Sequence, residues 1–200
     1  KQVLVASNYG CPQKRERAIV GDYIIPEITH LGREVFIKDI FEMLGPPVNN
    51  TKTEINDILF DFKINKDDLT DHFYDSVIPK EVWEKAKQLK LDHGYMGKMQ
   101  FPDTKNRLSR TIMATEAYAS REAMIFEDEN NSEQFRAPTI REISCLMGFP
   151  VNYQYEGKHN IKHKQIGNAV CVQLSHALAL AIAKKDNLNI CKIRQRDNIK

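Results

Sequence analysis

Two short apolar runs at the beginning of the chain constrain its fold more than any other feature. Residues 2–7 and 17–25 are rich in residues that favour β-strands, and the sequence YGCP at 9–12 supplies turn chemistry between them. They predict a hairpin or two edge strands of a sheet. Two strands alone cannot bury both of their faces, so we expect them to belong to a larger sheet that lies outside this sequence.

The composition indicates an ordinary globular protein. A chain of 200 residues with 42% hydrophobic and 28% charged content suits one domain or slightly more. No apolar run approaches the roughly 18–20 residues that cross a bilayer, and no charged-then-apolar leader is visible, so we expect no membrane association and no export. Lys1 stands where an initiator Met would stand, which predicts a fragment or a processed product.

Charged residues are concentrated in separate regions. The net charge of +2 is too small to indicate a nucleic-acid partner by itself. Basic residues gather at 14–17, 158–164 and 184–200, whereas acidic residues gather at 54–75 and 127–133. This separation permits a basic face on a nearly neutral protein.

The cysteines and histidines do not form a metal-binding pattern. The four cysteines are widely spaced: Cys11, Cys145, Cys171 and Cys191. Without a CxxC pair they fit a reduced cytosolic protein with buried thiols. His159 and His163 lie four residues apart, but no third ligand follows at metal-binding spacing, so we expect no metal.

The chain between these ends predicts short elements. Residues 35–44 and 79–91 are expected to form helices, the second because it begins with Pro and places Val82, Ala86 and Leu89 on one face. Residues 109–115 and 123–126 are β-like.

Two helices are predicted near the C-terminus. Thr139 followed by Glu142 has the form of a capping box, and an apolar stripe follows before Gly148. The second helix is expected over 169–185, with Asn168 as its cap and Gly167 permitting a close approach. Its apolar stripe comprises Val170, Ala177, Ala181, Leu174, Leu178 and Ile182.

Three blocks of the sequence resemble the DNA (cytosine-5)-methyltransferases. They read YGCPQKRER at 9–17, PTIRE at 138–142 with LMGFP at 146–150, and QIGNAV at 165–170. In this order they match the family's eighth, ninth and tenth conserved motifs. The resemblance is strong over 3–24 and 136–185. The family's cofactor-binding glycine loop, Pro-Cys nucleophile loop and Glu-Asn-Val block have no counterpart here, so the chain is expected to be the C-terminal part of such an enzyme.

The resemblance implies a chemistry for the first block. In the family a cysteine thiolate attacks carbon 6 of a cytosine that has been flipped out of the duplex, which makes carbon 5 reactive toward the methyl donor. Alternation in an extended strand places Gln13, Arg15 and Arg17 on one face. These residues would line the pocket of the target base, with Arg17 on the base O2 and Arg15 close to it.

None of the cysteines in this chain is expected to be that nucleophile. Cys11 precedes a proline, whereas the family's nucleophile follows one. Cys145 and Cys171 lie within helical patterns, and Cys191 lies in the tail. No residue is placed in the sequence to lower a thiol pKa.

The resemblance also assigns the remaining blocks. The ninth block is expected to be a scaffold, whereas Asn168, Ala169 and Val170 would complete the pocket for S-adenosylmethionine. The region between the blocks corresponds to the part that relatives use for target recognition. Its candidate DNA-binding residues are Arg110, Thr111 and Arg121.

The implied fold class is α/β. We expect part of an S-adenosylmethionine-dependent methyltransferase domain, made of edge strands and a C-terminal helix, with an inserted recognition domain that is small, irregular and mainly β. The expected divisions are a catalytic-domain piece at 1–25, a target-recognition domain at 26–135, a helical return to the catalytic domain at 136–186 and a basic tail at 187–200. Alone, these terminal pieces would expose apolar surface and favour self-association.

The leading hypothesis is a C-terminal segment or subunit of a bacterial restriction–modification DNA cytosine-5 methyltransferase in the cytoplasm. It would act on duplex DNA with S-adenosylmethionine, and only together with an N-terminal half that carries the nucleophile. The alternative is a non-catalytic, sequence-specific DNA-binding module. The RNA-acting branch of the family is disfavoured because its usual Cys-Phe-Thr tripeptide is absent from this sequence.

Overall fold

The structure is a computed structural model that describes residues 1–92, 97–115, 117–129 and 131–188. Within these ranges it contains five α-helices and six short strands, and the strands form three two-stranded antiparallel sheets. The strands are β1 (Gln2–Val5), β2 (Glu16–Ile19), β3 (Glu54–Asp57), β4 (Phe62–Asn65), β5 (Phe126–Glu127) and β6 (Phe135–Arg136). The helices are α1 (Ile37–Leu44), α2 (Lys80–Leu91), α3 (Ile140–Leu146), α4 (His159–Asn168) and α5 (Val172–Lys185).

Strands β1 and β2 form the hairpin predicted at the N-terminus, although β2 ends earlier than expected. Their register pairs Val3 with Ala18 and Leu4 with Arg17. Leu4 is buried whereas Val3 is 56% exposed, so one face of the hairpin packs on the protein and the other meets solvent. Among the described strands, none pairs with the outer edge of either β1 or β2.

The region at 26–135 is irregular, as expected, but the prediction that it is mainly β is wrong. Helix α1 has 8 residues and α2 has 12, whereas β3 and β4 have 4 each and β5 has 2. Both helices lie where the sequence predicted them, within two residues. Residues 109–115 and 123–126 do not form the expected strands, apart from Phe126 in β5. Residues 109–115 lie between other segments and make one isolated bridge, from Ser109 to Gln13.

One hydrophobic core joins the three expected divisions of the chain. It contains Leu4 from the hairpin, Ile40 and Ile112 from the middle region, and Ile143 and Leu174 from the C-terminal helices. A smaller cluster around α2 includes Ala86, Ile125 and Ala137. The middle region therefore shares its main core with both ends of the chain.

Helix α3 begins with the predicted capping box. The Thr139 hydroxyl accepts from the Glu142 amide at 3.2 Å, and the Glu142 carboxylate accepts from the Thr139 amide at 2.7 Å. Because both groups are buried, each satisfies a donor that would otherwise lack a partner. Ile140 and Ile143 are buried with the rest of the predicted stripe, so this prediction is confirmed.

The end of α4 corrects the prediction for the C-terminal helix. Asn168 is the last residue of α4 and not the cap of the next helix, which begins at Val172 after Cys171 and has no side-chain cap. The expected stripe on α5 is only partly inward: Leu174 and Ala181 are buried, whereas Val170 and Ile182 are exposed.

The two C-terminal helices together also correct the expectation about apolar runs. The stretch His159–Lys185 has 27 residues and contains an 18-residue window with a mean hydropathy of 1.6, which by length and composition suffices for a membrane span. Its helical hydrogen bonding is interrupted between α4 and α5, an interruption that is disfavoured within hydrocarbon. Helix α5 alone, at 1.5 Å per residue, is about 21 Å long and shorter than the bilayer core.

Candidate functional site

Three segments that are distant in sequence meet at the beginning of β2. Backbone hydrogen bonds join residues 12–14 to Ser109: the Lys14 amide donates to the Ser109 carbonyl at 2.8 Å, and the Ser109 amide donates to the Pro12 carbonyl at 2.9 Å. The third segment is the end of α4 and its connection to α5, whose carbonyls at Gly167 and Ala169 accept hydrogen bonds from Arg15. The structure therefore brings the eighth-motif block at 9–17 and the tenth-motif block at 165–170 together with the middle region.

Arg15 lies at the centre of this junction. Its side chain is buried, and it donates to the carbonyl of Ile112 at 3.2 Å, of Gly167 at 3.1 Å and of Ala169 at 3.3 Å. Burial lowers the pKa of Arg15, and the nearby positive charge of Arg17 adds to this effect. The guanidinium group therefore links the middle region to the end of α4.

Gln13 is fully buried beside Arg15. Its Oε1 atom lies 3.5 Å from the Arg15 Nη1 donor, and its Nε2 atom finds no acceptor among the described residues. A buried amide donor without an acceptor costs free energy. Gln13 is therefore a polar group whose hydrogen bonding is incomplete within the described part of the chain.

Arg17 is the most accessible of the three predicted pocket residues. It is half-buried, and its Nη1 atom donates to the carbonyl of the neighbouring Glu16 at 2.6 Å. Gln13 and Arg15 precede β2 and are covered by other segments, whereas Arg17 lies within the strand. Of this set, Arg17 is the side chain that a bound group could reach without displacing protein.

The connection between α4 and α5 carries the three residues predicted at the cofactor pocket. Asn168 and Val170 are exposed and Ala169 is half-buried. Gly167 packs so closely on the middle region that a Cβ atom there would lie 2.5 Å from the Ala114 amide nitrogen and closer still to the Met113 carbonyl oxygen. The predicted close approach at Gly167 is confirmed.

The three predicted DNA-binding residues have different environments. Arg110 forms an ion pair with buried Asp103, and Thr111 lies at the junction with its hydroxyl 3.5 Å from the Lys14 carbonyl oxygen. Arg121 points elsewhere and donates to the carbonyls of Leu89 and Asp92 at the end of α2 and to the carbonyl of Gly97 beyond it. Arg110 and Thr111 are thus near the junction, whereas Arg121 is not part of it.

A groove with basic walls runs beside the junction. It has a volume of about 580 Å³ and is lined by Lys14, Arg107, Arg110 and Thr111. A second cavity of about 200 Å³ shares Thr111, Met113 and the acidic Glu122 with the lining of this groove. Sequence reasoning placed Lys14 in a basic cluster but missed Arg107 as a groove residue. The sequence signal for Arg107 was its position two residues before Ser109, with Arg110 directly after Ser109. The bridge between Gln13 and Ser109 then brings Lys14 close to these two arginines.

The described cysteines are buried. Burial raises the pKa of the Cys145 thiol to about 12 and raises the pKa of the Cys11 thiol as well. The prediction that no residue lowers a thiol pKa is wrong for Cys171, because the neighbouring Cys11 thiol and the charge of Arg15 together lower the pKa of this thiol more than burial raises it. Cys191 lies outside the described residues.

Within the described ranges, no group of three His, Cys, Asp or Glu side chains is arranged to hold a metal ion. The His159 ring contacts the Tyr74 hydroxyl at 3.2 Å.

Arg141 of the ninth-motif block donates to the Thr70 carbonyl at 3.0 Å and to the Tyr153 carbonyl at 2.7 Å. These bonds join the middle region to the C-terminal helices, in keeping with a scaffold.

The known proteins and the family model that are similar to this chain are all described as methyltransferases or DNA methylases. A family model described as C-5 cytosine-specific DNA methylase matches residues 1–184. The type II methyltransferase M.NlaX of Neisseria lactamica is 24% identical over 178 residues, which are 89% of this chain and 50% of that protein. The type II methyltransferase M.Bpa9945I of Bacillus paralicheniformis is 42% identical over 57 residues, which are 28% of this chain and 12% of that protein.

A solved structure matches the described fold. The crystal structure of S. pombe Dnmt2 methyltransferase superposes with a TM-score of 0.51 at 15% identity, covering 94% of this chain and 57% of that chain. This likeness shows a methyltransferase-like α/β fold. The chain spans about half the length of M.NlaX and of the Dnmt2 chain, and a smaller share of M.Bpa9945I.

Proposed function

Because the chain belongs to the C-5 cytosine-specific DNA methylase family, we propose that it is the C-terminal segment or subunit of a DNA cytosine-5 methyltransferase. Together with an N-terminal half, it would transfer a methyl group from S-adenosylmethionine to carbon 5 of a flipped cytosine in a specific duplex sequence. The observation that supports this best is the junction at Arg15, where the base-pocket block, the middle region and the cofactor-pocket block meet.

The target base would be held by the arginine that remains accessible. A guanidinium group donates in pairs and stays charged, so Arg17 suits the O2 carbonyl of a flipped cytosine and an adjacent phosphate. Its half-buried position next to Arg15 gives it a surface that a base can approach. Gln13 lies behind it with an unpaired amide donor, which suits an acceptor supplied by the N-terminal half.

Duplex DNA would lie along the basic groove. Lys14 is exposed, and the Arg107 side chain is 40% exposed with only a 3.8 Å ion pair to Asp103. Such cations neutralise phosphates and give an affinity that falls with salt. Thr111 on the same wall can donate its hydroxyl to a phosphate oxygen. Arg121, which is bound to the end of α2, would shape the middle region or contact DNA from its exposed side.

The connection between α4 and α5 would form the rim of the cofactor pocket. Exposed Asn168 offers an amide that both donates and accepts, and exposed Val170 offers an apolar contact, which fits the mixed polar and apolar character of S-adenosylmethionine. When bound, this cofactor supplies the methyl group. The chain provides only the rim, so the remaining wall and the glycine loop would come from the N-terminal half.

The nucleophile would also come from the N-terminal half. Cys11, Cys145 and Cys171 are each at most 1% exposed, so a cytosine cannot reach their sulfur atoms in this fold. We therefore propose that the chain alone transfers no methyl group. Two relatives are type II methyltransferases of bacteria, which supports a role in a restriction–modification system in a bacterial cytoplasm.

The N-terminal half would bind at the open hairpin. Neither outer edge of the β1–β2 pair is occupied by another described strand, and the segment after β2 exposes Val20, Ile24 and Ile25. Unpaired edges and exposed apolar side chains together suit the addition of further strands.

The test is transfer of labelled methyl from S-adenosylmethionine to duplex DNA by this chain alone, by the protein encoded immediately upstream, and by their mixture. We expect transfer only in the mixture. In that mixture Arg17→Ala should lower the rate by roughly 100-fold, the size of loss typical for one transition-state donor. Arg33→Ala, which removes an exposed arginine outside the junction, should leave the rate unchanged.

The other outcomes count against the proposal. Transfer by this chain alone would show that one of its own cysteines is the nucleophile. No transfer in the mixture, with sequence-specific DNA binding retained, would favour the non-catalytic binding module instead.

A further inference from the structure

We infer that Arg15 is a positioning residue, which fixes the segment at 111–115 and the α4–α5 connection to each other and does not itself contact the target base. For its catalytic consequence this inference rests on the proposed function. We call the contacts that hold the segment at 111–115 and the α4–α5 connection together the joint. Only contacts within this chain support the joint.

Arg15 is committed to carbonyl groups from two segments. Its Nη1 atom donates to Ile112, and its Nη2 atom donates to Gly167 and Ala169, positions that lie 97, 152 and 154 residues away in sequence. A carbonyl oxygen only accepts, and a planar guanidinium presents its donors in a fixed fork. The arrangement therefore fixes the direction of both segments around one rigid group.

The carbonyls at Gly167 and Ala169 explain why a cation is needed there. They belong to the last turn of α4 and the residue after it, where backbone carbonyls lack the amide partners that a continuing helix would supply. A positive side chain at the C-terminal end of a helix is also favoured by the helix dipole. Arg15 thus stabilises the end of α4 at the point where the chain turns toward α5.

Gly167 provides an independent contact in the same joint. The absence of a side chain lets α4 lie directly on the backbone of Met113 and Ala114, because a Cβ atom would come within 2.5 Å of the Ala114 nitrogen. The end of α4 and the segment at 111–115 are therefore held together twice, once by direct packing and once through Arg15.

Arg17 has no comparable role. It lies two residues farther along the chain, within β2, is half-buried, and donates to the carbonyl of its own neighbour, Glu16. The two arginines of the block thus have different roles. Arg15 sets the distance between Thr111 in the groove and Asn168 at the rim of the cofactor pocket, and Arg17 contacts the target base.

The joint is tested by hydrogen–deuterium exchange of this chain with Arg15→Lys and, as the matched control, Arg17→Lys. A lysine keeps the charge but cannot bond three carbonyls in one plane. We expect Arg15→Lys to speed exchange about tenfold in peptides covering 111–115 and 167–172 together, while α1 and α3 keep wild-type exchange. Arg17→Lys should change neither segment.

Two results would overturn the joint: unchanged exchange in both segments of Arg15→Lys, or an equal increase throughout the chain. If Arg15→Lys does not fold, Gly167→Ala tests the same joint from its other side. Its added methyl group must push α4 away from Met113 and Ala114, so the same two segments should exchange faster. Faster exchange in only one of them would contradict the inference.

The catalytic consequence is tested in the mixture with the upstream protein. Arg15→Lys should raise KM for DNA and KM for S-adenosylmethionine together, about threefold or more, with a smaller change in kcat, because it displaces two binding walls at once. Arg17→Lys should mainly lower kcat. A change in kcat alone for Arg15→Lys would place Arg15 on the base and overturn the inference. If wild type transfers no methyl group, the proposed function fails, and the exchange experiment alone decides the joint.

Discussion

Arg15 and Arg17 show how two identical side chains that lie two residues apart acquire different environments. Their alternation with Gln13 is a prediction from the sequence. In the structure Arg17 lies within β2, whereas Gln13 and Arg15 precede the strand, and the Arg15 amide donates to the Gln13 carbonyl at 3.0 Å. The burial of Arg15 does not follow from the sequence, because its acceptors lie 97 to 154 residues away. A local pattern predicts the side of a strand on which a residue lies, but not which distant segment covers it.

His72 is a second residue whose environment sequence reading did not reveal. It is fully buried, with Nε2 3.0 Å from the Gly45 carbonyl oxygen and Nδ1 3.0 Å from the Thr139 hydroxyl. The carbonyl can only accept, so Nε2 carries the proton and the hydroxyl donates to Nδ1. This network fits a neutral imidazole, and burial lowers the pKa of His72.

The His72 network predicts a loss of stability in mild acid. The unfolded chain binds a proton at this histidine below a pH of about 6.5, whereas the folded chain resists it, so the free energy of unfolding should fall as pH decreases from there, by up to about 1.4 kcal/mol per unit. Urea unfolding between about pH 7.5 and pH 5.5 measures this. His72→Gln should lose less stability over that interval than wild type; an equal loss would show that His72 does not contribute.

At the scale of elements, α3 was the most predictable part of the fold. Its capping box, stripe and end depend on residues three or four positions apart, which a sequence displays directly. The end of α4 was not predictable in this way. The sequence predicted one helix over 169–185 with Asn168 as its cap, whereas Asn168 ends α4. This end of α4 coincides with contacts from Arg15 and from the backbone at Met113, which are distant in sequence.

The cap of α3 gives a prediction at this scale. Thr139→Ala removes the acceptor of the Glu142 amide and the donor to His72, so the free energy of unfolding should fall by about 1–2 kcal/mol. Thr139→Ser keeps the hydroxyl and loses only a methyl group, which costs about 0.8 kcal/mol or less. Urea unfolding of the two variants compares them. Equal losses would mean that the hydroxyl contributes nothing to the cap.

At the scale of the whole molecule, the segment after β2 carries a series of exposed apolar residues. Val20 is 75% exposed and Leu31 is 77% exposed, with Ile24, Ile25 and Ile28 between them. The sequence predicted exposed apolar surface and placed part of it on the stripe of Val170, Leu174 and Leu178. Val170 is exposed, but the Leu174 and Leu178 side of the last helix is not. That side is covered because α5 packs on the turn that follows β1.

This surface predicts self-association of the chain when it is alone. We expect its apparent mass in sedimentation or gel filtration to rise with concentration. Val20→Thr combined with Ile25→Thr should reduce the association without lowering the free energy of unfolding by more than about 0.5 kcal/mol, as is usual for exposed positions. Leu89→Thr, at an exposed position on α2, is the control and should not change it. A compact monomer at all concentrations would contradict the prediction.

The shared core has a practical consequence for exchanging parts between relatives. Ile40 and Ile112 of the middle region pack in the same cluster as Ile143 and Leu174. A transplant cut at residues 26 and 135 would leave those C-terminal side chains facing a foreign surface. A successful graft therefore has to transfer α3 together with the middle region. Otherwise the recipient must match the donor where the middle region contacts α3 and where Gly167 packs on the backbone of Met113 and Ala114.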